Sequence, residues 1–583
     1  MLSSLTLLAC AHAPAPPSAP PEAPPDANAS LHALLADHWE DTMRRSPIWA
    51  SRLGDHRWDD RLDDNSPEAL AAARQARVAF LRRAEAVPAG ELDDQNRANL
   101  EIFTWELRTS VGVDACHTER WGLSARNNAL ITIGELPDIQ PILTATDATN
   151  YLARLRAWPA TVDNEIAHLR RGIAADTTPE RRAVEIVIGQ VDQALSAPAA
   201  EWPAAAIAAG PGWPSAVAPA DVRDAVELGV LPAMRRYRSF LASELLAAAR
   251  RPDRAGLWAM PGGPACYAAL IERDTSLNLQ ADAIHAVGLA ELERIHDEFR
   301  ALGQKVFGTS DLPTIFERLR TDPALRFGTE DEVEAAAAAA LSKARAAIPA
   351  FFGRLPKAEC GVRRVPAYEA PFTTIAYYRQ SVPGEQPGYY YINTYQPDTR
   401  PRFEAEVLAF HESIPGHHLQ IAIAQELPNI PEFRRHMGTT AFVEGWALYT
   451  ERLADEMGLY TGDLDRMGIL SFDAWRAARL VVDTGLHAQG WDRAQAIAFF
   501  EANTPLARNN IANEVDRYIT WPGQALAYKL GHIELRTLRA DAEAALGPRF
   551  SLPEFHDAVL SGGAVPLPVL RRQVRAWVAG RGG

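Results

Sequence analysis

The stretch 329-TEDEVEAAAAAALSKARAAIP-349 decides what kind of chain this is. Thr329 and Glu332 stand three apart in a capping-box pattern, alanines and long unbranched side chains follow, and Pro349 closes the run. Nothing in it alternates with period two, so it reads as helix rather than strand. Segments of the same Ala/Leu/Arg-rich character recur at about 66–86, 149–174, 218–250 and 278–303, without a repeat period that would make a solenoid. The expected fold is mainly α. At 583 residues the chain exceeds what one core organises, so a large helical assembly of two lobes with a deep cleft is expected.

One region departs from that pattern. FTTIAYYRQ (372–380) and GYYYINTY (388–395) are rich in β-branched and aromatic residues, and SVPGEQP between them supplies turn formers. They predict a small β-hairpin. Such an edge beside a catalytic helix can hold an extended peptide by backbone hydrogen bonds; tyrosines packed on a helical surface are the alternative reading.

Bulk properties narrow the classes. Hydrophobic content of 47% with 23% charged residues suits a globular enzyme, and no apolar run approaches the ~20 residues a spanning helix needs. A net charge of -15 without a basic patch disfavours nucleic acid as a partner. The chain has no G-x-S-x-G elbow, Walker loop or dinucleotide-binding G-x-G-x-x-G unit. Cys116, Cys266 and Cys360 form no C-x-x-C pair and read as structural.

The N-terminus, MLSSLTLLAC, resembles a bacterial lipoprotein signal, which implies export to the cell envelope or periplasm and a lipid anchor at Cys10. The membrane would then be met only through that anchor. Residues 11–30, rich in Pro and Ala, read as a linker, and 31–583 as the folded part, with its chemistry in 360–583.

That chemistry centres on 410-FHESIPGHHLQ-420, which opens like H-E-x-x-H, where two histidines one turn apart hold a metal and the glutamate works on water. The second histidine is late. On a regular helix His417 would stand about 120° round from His411, and His418 about 10.8 Å along, whereas zinc takes nitrogens at about 2.0–2.1 Å. Pro415 and Gly416 are placed to distort the helix, because proline lacks the N–H for the His411 carbonyl and glycine accepts unusual backbone angles. A two-residue bulge there returns His417 or His418 to the i+4 place. A third ligand is offered by Glu444 in 438-GTTAFVEGWALYTERL-453, and Glu451, seven residues on, shares its face and can support the ligands from behind.

The phrase FVEGWALYTE resembles the third-ligand helix of the thimet oligopeptidase and neurolysin peptidases, and Gly416-His417 aligns with the Gly-His of their H-E-x-G-H-A. That resemblance favours His417 over His418 as second ligand, although this chain carries two inserted residues, where dipeptidyl-peptidase III-like enzymes carry one. It implies one zinc per chain, Glu412 as general base, and a later tyrosine or histidine as oxyanion donor, with Tyr528 first and His487 second. Arg517 and Lys529 are left open as partners of a substrate carboxylate or of structural acids. FHESIPGHHLQ, RLVVDTGLHAQGW and RYITWPGQALAYKLG, together with GDHRWDDRL near the start, resemble the bacterial domain of unknown function 885 family over nearly everything after residue 30. That family implies no activity. The expectation is a zinc metallopeptidase acting on short peptides, against a zinc amidohydrolase or esterase on a non-peptide substrate and a non-catalytic envelope binding lipoprotein.

Overall fold

The computed structural model describes residues 26–367, 370–371, 373–382 and 386–582. The signal-like segment with Cys10, Phe372 of the first expected strand and residues 383–385 of its turn lie outside the described residues.

The helical expectation holds. Helices span Pro67–Glu85, Ala145–Ala174, Ala281–Phe307 and Glu330–Ala347, and Pro219 to Ala248 is helical with two wider π turns. The first helix, Ala27–Arg45, begins within the stretch read as linker. The Thr329 hydroxyl caps its helix by accepting from the Glu332 N–H at 3.2 Å. The Glu332 carboxylate reaches one residue further back than a capping box requires, accepting from the Gly328 N–H at 2.7 Å. No helix among the described residues is long and apolar enough to cross a membrane.

Besides two small apolar clusters, one of which packs Cys116 and Trp121 with Leu257, Tyr267, Leu270 and Leu526, two large cores make two lobes. The smaller is built mainly from residues 123–249, including Tyr151, Trp158 and Tyr237. The larger joins the N-terminal helices to nearly everything after residue 255. Cys116 and Cys266, with Cα atoms 5.2 Å apart, form a disulfide, while Cys360 is a free, buried thiol.

Inside the larger lobe the helix Thr440–Glu456 crosses Ala527–Leu546 almost backbone to backbone. A Cβ on Gly531 would stand 1.8 Å from the Ala441 carbonyl oxygen, and one on Gly445 would stand 2.5 Å from the Gly531 backbone. No larger residue fits either side without pushing the helices apart. This crossing brings Glu444, next to Gly445, beside Tyr528, one turn before Gly531.

The hairpin is present and gains a strand that sequence patterning missed. Strands β1 (Cys360–Arg364), β2 (Ala376–Arg379) and β3 (Gly388–Ile392) form one sheet in the order β1-β3-β2. β2 runs antiparallel to β3, with Tyr378 opposite Tyr390, and β1 runs parallel to it. The face carrying Tyr378 and Tyr390 packs on the helices of the H-E segment; the opposite face stacks Tyr377 on Tyr391 at 5.0 Å.

Candidate metal centre

The helix carrying the H-E pair, Ala405–Glu412, stops at Glu412, and a new one, His417–Gln425, starts at the late histidine. The interruption is therefore a break, larger than the expected bulge. A Cβ on Gly416 would lie 2.0 Å from the His411 carbonyl oxygen and 2.4 Å from that of Phe410, so only glycine lets the chain fold back over the end of the first helix. The Ile414–Pro415 peptide is cis. The indole N–H of Trp446, two residues after Glu444, donates to the Pro415 carbonyl at 3.0 Å and ties this turn to the helix that carries Glu444.

The break brings three expected ligands together. His411, His417 and Glu444 each offer one ligand atom within 4.8 Å of the others. Glu444 Oε2 lies 3.3 Å from His417 Nε2 and 3.7 Å from His411 Nε2. The His411 Nδ1–H donates to Glu451 Oε1 at 2.8 Å, which directs Nε2 at the cluster. Glu451 is fully buried, in the supporting place expected of it. Glu444 Oε2 and His417 Nδ1 are buried with no hydrogen-bond partner among the described residues. Two imidazole nitrogens and a carboxylate oxygen converging at this separation are a donor set that fits a zinc-type cation.

The charges within the cluster shift one another's titration. Burial lowers the His411 pKa, but its contacts with Glu444 and Glu451 win and raise it to about 9. Burial raises that of Glu444, and the two histidines reverse this and hold it well below the carboxylate range. A raised histidine contributes stability in full below its unfolded pKa of about 6.5 and loses it as pH climbs towards about 9. A depressed carboxylate contributes above its ordinary pKa and loses this on acidification. Metal-free protein should therefore show a melting temperature that falls between pH 6.5 and 9, and added zinc should stabilise more as pH rises by displacing the His411 proton. A melting curve in chelator that is flat across this window would contradict the assignment of the shift.

The remaining expected residues divide. The Tyr528 ring lies nearly parallel to that of His411, 13° between planes and 6.3 Å between centroids, and burial followed by the Glu444 charge raises its pKa. Glu412 follows His411 at the helix end and makes no hydrogen bond or ion pair among the described residues; its charge is felt by the buried Tyr390 hydroxyl, which itself lacks a partner.

Two expectations are corrected. His418, the alternative ligand, uses both nitrogens elsewhere: Nε2–H donates to the Ala358 carbonyl at 3.1 Å, and Nδ1 accepts from the Tyr378 hydroxyl at 2.9 Å. His487, the second choice as oxyanion donor, is fully buried, accepts from the Leu257 N–H at 3.2 Å and donates to the Tyr518 carbonyl at 2.9 Å. Burial lowers the pKa of His418 to about 4 and that of His487 to about 3, so both are neutral packing groups. Lys529 also proves structural, buried against Asp473 and, at 2.8 Å, Glu291.

Sequence reading missed a group of arginines beside the cluster. Arg476 and Arg479 lie on the helix Asp463–His487, with guanidiniums 5.9 and 4.2 Å from the Tyr528 ring, and Arg476 Nη2 is 3.8 Å from Glu451. A signal existed: Asp473, Arg476, Arg479 and Asp483 recur at three- and four-residue spacing in a helix otherwise apolar enough to be buried all round.

Comparison with known proteins agrees with this architecture. The family model described as "Bacterial protein of unknown function (DUF885)" matches residues 47–574. A crystal structure of a candidate lipoprotein from Colwellia psychrerythraea is 27% identical and superposes with a TM-score of 0.89 over 95% of this chain and 100% of that one. A candidate lipoprotein of unknown function from Shewanella oneidensis, 19% identical, shares the fold with a TM-score of 0.72 over 93% of this chain and 99% of its own. No curated protein matches.

Proposed function

The chain belongs to the DUF885 family of bacterial proteins, whose function is unknown, and from that premise we propose that it is a zinc-dependent hydrolase of short peptides. The observation that carries this reading is the convergence of His411, His417 and Glu444, with Glu451 behind His411 and Glu412 unpartnered beside it. Zinc held by those three side chains would supply Lewis acidity, polarising a carbonyl and lowering the pKa of water to about 7. Glu412 takes a proton from the attacking water and delivers it to the leaving nitrogen. The water oxygen bonds to the carbonyl carbon, the C–N bond breaks, and the products are a carboxylate and an amine. The Tyr528 hydroxyl donates to the carbonyl oxygen as negative charge develops there.

A free carboxylate next to a cation-shaped cluster supports hydrolysis over a retired binding role, which gives no reason to keep Glu412 unpaired in a buried setting. Residence at the cell envelope is supported by the lipoprotein descriptions of the two structural relatives and by Leu7-Leu8-Ala9-Cys10.

Purified protein should carry about one zinc per chain and cleave unstructured oligopeptides, as read by elemental analysis and by mass-spectrometric mapping of cuts in a mixed peptide library. Folded protein that takes up no metal at micromolar zinc would sink the proposal.

A further inference from the structure

Between the lobes lies a cavity of about 520 Å³, joined through Arg126, Pro371, Thr373 and Asn513 to a second one that reaches Tyr390. Arg126 and Arg517 line the first, and Arg479 stands behind them on the far side of the Glu514 carboxylate they share electrostatically. Arg479 and Arg517 both bond Glu514 Oε2, at 3.0 and 3.1 Å, and the Tyr518 hydroxyl donates to the same oxygen at 2.5 Å. Burial raises the Glu514 pKa, but Arg517, Arg479 and Arg126 overcome this and hold it at about 2.

The other acids lining this cavity are committed. Asp516 is bonded by Arg493 at 2.6 and 3.0 Å, and Glu180 caps the helix starting at Arg181 by accepting from the Arg182 and Ala183 N–H groups at 2.7 and 3.2 Å. Arg126 is left with no side-chain hydrogen bond or ion pair among the described residues. Arg479 Nη1 and Arg517 Nε are likewise buried without partners. Of these, only the Arg126 donors face the cavity, and the planar fork of an uncommitted guanidinium matches a carboxylate.

Arg126 is held ready for such an anion. It sits in a two-residue turn whose flanks, Ser124 and Asn127, exchange backbone hydrogen bonds at 3.1 and 3.2 Å. The Asn128 side chain donates to the Ser124 carbonyl at 2.8 Å, and that of Gln190 to the Ala125 carbonyl at 3.0 Å. The order already present lowers the entropy lost on binding.

Resting on the hydrolase reading above, we infer that Arg126, backed by Arg517 and Arg479, captures the C-terminal carboxylate of the peptide substrate, making the enzyme a carboxypeptidase. The Arg479 guanidinium stands 4.2 Å from the Tyr528 ring, and that ring 6.3 Å from the His411 ring. Through Arg479 and Tyr528 the group of arginines therefore adjoins the His411 side of the metal cluster.

An acidic side chain offers the same chemistry, and the test separates the two sources. The probes are N-acetyl-pentaalanine, its C-terminal amide, and an amide with glutamate at the penultimate position. Wild type should cleave the free acid about a hundredfold better, in kcat/KM, than the plain amide. Arg126→Gln should bring the two within a few-fold of each other, and Arg126→Lys should restore part of the difference.

Calorimetric titration of the same peptides into Glu412→Gln protein reads the carboxylate preference without turnover. Preferential binding of the acid with no cleavage by wild type would keep the carboxylate site and remove the hydrolase reading. Equal cleavage of acid and plain amide would keep the hydrolase and overturn this inference. Rescue of the amide by its internal glutamate would overturn the C-terminal assignment, as would binding of none of the peptides.

Discussion

Glu412→Gln protein is expected to lose peptide hydrolysis by about 10³- to 10⁴-fold while retaining its full complement of zinc. The change replaces one oxygen by a nitrogen of nearly equal size, so the helix end, the break at Ser413 and the three ligands keep their positions. What disappears is a group that accepts a proton from water and returns it to the leaving nitrogen. Because Glu412 has no partner among the described residues, the substitution breaks no structural contact, and a loss of activity reports chemistry rather than folding. Metal content, melting temperature and kcat measured on one preparation separate the cases. Unchanged kcat with zinc in place would remove Glu412 from the mechanism.

Glu444→Ala is expected to do the opposite, losing the metal first and activity as a consequence. About 10 kcal/mol of zinc affinity shared among three protein ligands puts the loss of one near 3 kcal/mol, or about two orders of magnitude in Kd. The two histidines left behind meet edge to face with ring centroids 4.8 Å apart and no Glu444 carboxylate beside them. His411, no longer held protonated by Glu444, should lose part of its raised pKa, so the variant's stability should depend less on pH between 6.5 and 9 than that of metal-free wild type. Dialysis against a weak chelator followed by elemental analysis reads the first effect. Zinc retained as in wild type would remove Glu444 from the ligand set.

How much of this was legible beforehand depends on the range of the interaction. The Thr329 cap, the alanine run and the Tyr-rich hairpin are local patterns, and they appear where the residues placed them. The Pro415-Gly416 interruption was legible because a metal's short bonds make an unbroken helix impossible there. Its form was not: whether a chain bulges or ends and restarts depends on what it packs against, and here the Trp446 indole, 31 positions away, fixes the turn. The β1 strand was missed because its partner β3 lies more than twenty residues on. His418 and His487 look in sequence like candidates equal to His417; only the bonds that occupy their nitrogens separate them. Arg126 carried no signal, since its meaning comes from meeting residues almost four hundred positions later.

The crossing at Gly445 and Gly531 gives the molecule a division of labour. With no side chain between the two backbones, Glu444 and Tyr528 ride on what is in effect one solid block, while Arg126 rides on the other lobe. Ten residues before Arg126, the Cys116–Cys266 disulfide ties the chain to the part that follows residue 255. The Glu444–Tyr528 pair works as an anvil, fixed whatever is laid on it.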